Sequence, residues 1–123
     1  MKRRTTAEEP IEHCAFGELT VRGTRYATDL VILPDGTVRD GWRRREGHRL
    51  AFDDLAALLA AQPRKLVVGS GYYGRMAPED GLAGRLERMG ISMTVAPTCS
   101  AAERYNGMWG REEGVAACFH LTC

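Results

Sequence analysis

No apolar run in this chain approaches the roughly 20 residues a helix needs to cross a bilayer, which argues against a helical membrane span. Charge of one sign is also lacking. Seventeen Lys and Arg against 16 Asp and Glu leave a formal net charge of +1, too small to gather DNA, RNA or an anionic membrane. No CxxC pair occurs among Cys14, Cys99, Cys118 and Cys123. No apolar stretch follows the basic residues of MKRRTTAEEP, so this segment reads as a flexible tail over residues 1–12, not a secretory signal. Without an export signal the expectation is a cytoplasmic protein with reduced thiols. Internal repeats, low-complexity stretches and long linkers are missing too, and 123 residues suit one domain, taken as residues 13–123. What remains, 44 % hydrophobic and 27 % charged residues, is ordinary for a folded chain.

Alternation of apolar and polar residues predicts a strand over residues 16–21, and a second runs over 25–33 into Pro34-Asp35-Gly36. Proline presets one φ angle there, and Asp and Gly accept a tight reversal. Residues 37–42 then return as a third strand, making an N-terminal β-meander. Residues 43–49 form a charged loop. Asp53 is placed as the cap of a helix with Leu55, Leu58 and Leu59 on one face, ended by Pro63. Lys65-Leu66-Val67-Val68 reads as a strand buried on both faces. Pro78, Glu79 and Asp80 suit a helix first turn, Leu82, Leu86 and Met89 its buried stripe, and Gly90 its stop. A strand over 91–96 leads to Thr98, the expected cap of a helix carrying Ala101, Ala102, Tyr105 and Met108, and residues 115–121 form the last strand. Strand–helix–strand–helix–strand implies a largely parallel sheet covered by helices, with antiparallel strands added by the first half.

Gly69-Ser70-Gly71-Tyr72-Tyr73-Gly74 satisfies GxGxxG after a strand. A dinucleotide site needs the glycines to open a helix directly and an acidic residue at the end of the next strand. Arg75-Met76-Ala77-Pro78 intervenes here, and the next strand ends Thr94-Val95-Ala96-Pro97. No cofactor is therefore expected, and backbone needs explain the glycines better. The place still matters, because ligands of open α/β sheets bind beyond the carboxyl ends of strands. Gly69, Ser70 and Gly71 with Thr98, Tyr105 and Asn106 become candidate contacts for a small anion.

Cys99, just inside the helix at Thr98, is a weak candidate nucleophile, since helix N-termini favour thiolates. A base would have to come from His13, His48 or His120, and none can be placed beside it. His120 shares a strand face with Ala116 and Cys118 and is a weak catalytic candidate; on a covered sheet a histidine is more often a hydrogen-bonded structural residue. No regular ligand spacing points to a metal. The basic stretch Trp42 to Arg49 could grip phosphate, but in a chain of balanced charge it reads as a solvated loop, and no nucleic acid is expected.

An ordered set of segments carries a likeness: Phe16-Gly17, Leu33-Pro34-Asp35-Gly36, Trp42 through Gly47-His48, and Leu66-Val67-Val68-Gly69-Ser70-Gly71. Gly90-Ile91, Thr98 with Ala102, Tyr105-Asn106, and His120-Leu121-Thr122-Cys123 complete it. In this order they resemble a family of small α/β proteins of unknown function. Its relatives include the complex I assembly factor known as NADH dehydrogenase alpha subcomplex assembly factor 3 and the adipogenesis-associated domain protein. The resemblance implies a three-layer α/β fold with a mixed central sheet, helices on both faces and a β-hairpin crossover. It brings no catalytic residue and favours an accessory role over an enzyme. The leading expectation is a monomer or homodimer that binds a protein partner through Trp42, Arg44, Arg45, Tyr72 and Tyr73, residue types that dominate interface hot spots. The alternative is an enzyme or anion binder that uses Cys99 or His120 at the strand ends.

Overall fold

The computed structural model describes residues 9–123. Of the tail expected over residues 1–12, residues 1–8 lie outside the described residues, and the first strand, β1 (Ile11–Ala15), already starts within it. Strands β2 (Glu18–Val21) and β3 (Thr24–Tyr26) pair with it in the order β1-β2-β3. Phe16 and Gly17 are therefore a turn and not the head of a strand, and Gly17 takes φ +75° to close it.

The central sheet has five strands. β4 (Leu30–Ile32) and β5 (Val38–Asp40) are antiparallel, while β7 (Lys65–Ser70), β9 (Ser92–Ala96) and β10 (Val115–His120) are parallel. The order is β5-β4-β10-β7-β9. β10 alternates as its sequence predicts: Val115, Ala117, Phe119 and the following Leu121 enter one apolar cluster, and Ala116 and Cys118 enter the other. The first cluster lies under the three-stranded sheet and α3 (Thr98–Met108). The second lies under α1 (Ala56–Ala60), the 3-10 turn before it (Phe52–Leu55), and α2 (Leu82–Arg88). The expected three-layer arrangement, with a mixed sheet between helices, is present. Burial of both sheet faces drives it, at about 25 cal/mol per Å² of apolar surface removed from water.

Several local expectations need correction. The strand expected over 25–33 is broken after Tyr26, because Asp29 turns its carboxylate to the Leu121 amide at 2.8 Å and the chain passes from one sheet to the other. Asp54, not Asp53, steadies the first helix, accepting from the Ala51 amide at 2.8 Å. Pro78 is not in a helix: Ala77–Pro78 forms a short strand, β8, parallel to β6 (Arg49–Leu50). α2 starts after Gly81, and Met89, expected in its buried stripe, is 51 % exposed because the helix ends at Arg88. Thr98 is the first residue of α3 and not its cap; Pro97 precedes it.

Candidate functional site

Parallel β7, β9 and β10 end on one rim, and antiparallel β4 begins there. Gly71 and Thr98 join the two loops expected to flank a crevice: the Gly71 amide donates to Thr98 Oγ1 and the Thr98 amide to the Gly71 carbonyl, both at 2.9 Å. Thr98 Oγ1 in turn donates to the His120 carbonyl. The space between the loops is occupied by the chain itself. Tyr72 N–H donates to Thr122 O at 2.6 Å, and Arg75 N–H to Cys123 O at 3.0 Å. A Cβ on Gly71 would overlap the Cys123 carbonyl, and φ there is +110°, so the glycine answers a close approach of backbone. The amides of Gly71, Tyr72, Gly74, Arg75 and Met76 all donate within the protein, and none of them is left for an anion.

Gly69, Ser70, Gly71 and Thr98 thus come together, but as a closed joint. Ser70 Oγ donates to Ala96 O at 3.1 Å. Tyr105 lies about 10 Å further along α3, in the apolar cluster, stacked on Trp109 at 6.2 Å between ring centroids. Its hydroxyl makes no aligned hydrogen bond, and burial pushes its pKa up to about 12 against the opposing pull of the nearby Arg22 guanidinium. Asn106 is structural in contact: its amide clamps the Ile11 backbone at 3.0 and 2.8 Å, fastening α3 to β1. Cys99 is not a free thiol. It forms a disulfide with Cys14, 85 residues earlier, which overturns the reduced state expected for this pair. Cys118 and Cys123 are free; Cys118 is wholly buried, and desolvation pushes its pKa up to about 12.

His120 sits on the same rim in a buried polar knot that sequence reading did not foresee. Its side chain is 8 % exposed, and that of Arg44 only 4 %. His120 Nδ1 lies 2.8 Å from Asp29 Oδ2 and 3.0 Å from Arg44 Nη2. One nitrogen cannot donate to the carboxylate and accept from the guanidinium together. The shorter contact favours Nδ1–H donating to Asp29, so that in the neutral ring Nε2 keeps a lone pair. Nε2 is buried without a partner, and the His48 ring stands 6.0 Å from the His120 ring. Arg44 Nη1 is 3.0 Å from Asp29 Oδ2, near enough for an ion pair but not aligned as a hydrogen bond. Arg44 also covers the Trp42 ring at 4.7 Å, while the Trp42 indole donates to Asp54 O at 2.9 Å. Arg44, expected as a partner contact, is therefore held inside; Trp42 is partly buried, and Arg45 is exposed. Among the described residues no group of three or more His, Cys, Asp or Glu is placed to hold a metal.

Beside the knot, Tyr72 and Tyr73 meet a ring that the sequence did not flag. Phe16, in the β1–β2 turn, lies 5.7 Å from Tyr72 and 5.8 Å from Tyr73, and the tyrosines lie 5.1 Å apart. Phe16 is 51 % and Tyr73 65 % exposed. Backbone contacts hold this cluster in place: Gly17 N–H donates to Leu121 O at 2.9 Å, next to the Tyr72–Thr122 bond. The loop around Arg45, by contrast, is electrically mixed. A cleft of about 350 Å³ there is lined by Arg45, Arg49 and Arg85 but also by Asp53, Asp54 and Glu79, and Arg49 pairs with Glu79 at 3.6 Å. Such neutralisation gives no phosphate-gripping stripe.

Residues 11–120 match the model of a family described as a protein of unknown function, DUF498/DUF598. Among solved structures, one named MT938 is 34 % identical, covering 92 % of this chain and 97 % of its own, with a TM-score of 0.76. A conserved hypothetical protein of Pyrococcus horikoshii OT3 is 26 % identical over 92 % of this chain and 98 % of its own, TM-score 0.77. A Bordetella pertussis protein described as an Mth938-like domain shares the fold at 18 % identity and TM-score 0.62, over 98 % of this chain and 92 % of its own. No curated protein matches the chain. Among the described residues no helix is long and apolar enough to cross a membrane.

Proposed function

The chain belongs to the DUF498/DUF598 family of unknown function, and from that premise we propose that it is a cytoplasmic accessory protein that docks on a protein partner. The observation that carries this reading is the exposed cluster of Phe16, Tyr72 and Tyr73 on the strand-end rim. Aromatic anchors supply large contact area at low entropic cost, because few torsions are frozen. The backbone bonds of Gly17 and Tyr72 to Leu121 and Thr122 pre-organise the rings, so docking does not have to order a loop. The sequence likeness to a family that includes a respiratory-complex assembly factor fits an assembly role, with Arg45 as a flanking contact. Immobilised wild-type chain and a Phe16→Ser/Tyr73→Ser variant test it against native lysate. A protein retained repeatedly by the wild type and lost by the equally folded variant is expected; retention by both, or by neither, overturns the reading.

A second reading is favoured by His120. An imidazole oriented by Asp29 through Nδ1, with a partnerless Nε2, is the arrangement of a general base or a ligand to a small acid. Titrating the chain with formate, acetate and phosphate while following the His120 nitrogen resonances tests it. A saturable shift at Nε2 that Asp29→Asn abolishes supports the reading, and no shift removes it.

A further inference from the structure

The Cys14–Cys99 bond has surroundings that a purely structural crosslink does not require. Both cysteines are partly exposed. Cys14 lies on β1, which among the described residues pairs with β2 as the edge strand of its sheet, with Asn106 holding the backbone at Ile11. Cys99 is the second residue of α3, an 11-residue helix that begins after Pro97. No side chain caps that helix, and no acidic residue occupies its first turn. Thr98 N–H is taken by the Gly71 carbonyl, but the dipole of α3 acts at Cys99, in its first turn, without a competing carboxylate.

We propose that Cys14–Cys99 is a thiol–disulfide exchange site whose substrate is an external dithiol, with Cys14 taking the attack and Cys99 leaving. One thiolate of the dithiol bonds to Cys14 Sγ as the Cys14–Cys99 bond breaks. The electron pair passes to Cys99 Sγ, where the helix terminus stabilises the new charge until a proton arrives from water. The second thiol of the dithiol then attacks its own sulfur in the mixed disulfide and releases Cys14. Two electrons and two protons have moved: the dithiol is now a disulfide, and Cys14 and Cys99 are thiols. The better leaving thiolate sets the direction of attack. Cys118, fully buried, takes no part. A disulfide in a cytoplasm is characteristically transient or redox-sensing, so the inference agrees with the proposed location but does not depend on partner docking.

Full-length oxidised chain is exposed briefly to glutathione, a monothiol that traps the first step, then quenched with iodoacetamide and mapped by peptide mass. Glutathione on Cys14 with alkylated Cys99 is expected. Glutathione on Cys99, or on Cys123 alone, overturns the proposal, as does alkylation of Cys14 and Cys99 before any reductant is added. Reduction by dithiothreitol should be no more than about tenfold slower in the folded chain than in the denatured one. Protection of roughly a hundredfold or more marks a closed structural bond and overturns the proposal. Ser100→Glu places a carboxylate in the first turn of α3 and should slow reduction about threefold. An unchanged rate removes Cys99 as the leaving thiol.

Discussion

Two regions of one rim invert the usual rule of burial. The Asp29–Arg44–His120 knot puts charged and polar groups inside, while Phe16, Tyr72 and Tyr73 leave their rings outside. They are neighbours: Leu121 N–H donates to Asp29 at 2.8 Å, and Leu121 O accepts from Gly17 beside Phe16 at 2.9 Å. The knot is tolerable because Asp29 pairs with both Arg44 and His120, although His120 Nε2 is left without a partner, and removing Asp29 leaves the others unpaired in low dielectric. The rings carry no such dependence. At this strand-end rim, then, polar residues are the cement and aromatics the exposed surface.

Substitutions can separate the two regions. Replacing both Cys14 and Cys99 by Ser, which unties the turn that carries Phe16 from α3, should have the largest effect. About 4.6 kcal/mol is expected from loop-closure entropy, since the bond spans 85 residues. Equilibrium urea unfolding measures it, and a loss under about 1 kcal/mol would mean the bond constrains little. Asp29→Ala comes next, at about 3 kcal/mol, because it strands Arg44, His120 and the Leu121 amide together. A loss below about 1 kcal/mol would show that the knot is well solvated. Phe16→Ser with Tyr73→Ser should cost no more than about 1 kcal/mol, the scale of exposed ring contacts. A larger cost would make the rings structural and erase the contrast.

Tyr105→Phe approaches the contrast from the other side. Here a buried hydroxyl has the Arg22 guanidinium nearby but no aligned hydrogen bond, so its removal should change stability by no more than about 1 kcal/mol. The same residue sets a pH response. Its folded pKa is raised from 10.0 to about 12, so between these values the folded state holds a proton that the unfolded state has released. Stability must fall as pH rises through that window, and Cys118, raised from 9.0 to about 12, starts the fall earlier. Alkaline unfolding followed by circular dichroism should show Tyr105→Phe losing less stability than wild type above about pH 10. Identical curves would mean Tyr105 is not desolvated.

Much of the scaffold was legible because it follows from local rules. Leu66-Val67-Val68 is apolar throughout and became the buried β7; Gly90 stops α2 with φ +82°; β10 divides its side chains between the two clusters. The site was less legible because its chemistry is long-range. Asp29 stands in a stretch that alternation extends into one strand, although a lone carboxylate among Tyr26, Leu30, Val31 and Ile32 was a usable signal. Arg44 reads as one more arginine of a solvated loop, and only its neighbours in space, 76 residues away at His120, bury it. Nothing local links Cys14 to Cys99, and Phe16 meets the tyrosines only once the β1–β2 turn is folded onto Leu121.

A photo-crosslinking residue substituted for Tyr73, compared with one at exposed Glu103 on the outer face of α3, probes the docking surface at its centre. The expected result is a defined crosslinked protein from position 73 in native lysate, none from position 103, and loss of the product when Phe16→Ser is added. The same products from both positions, or none from either, would rule out a partner site at the aromatic rim.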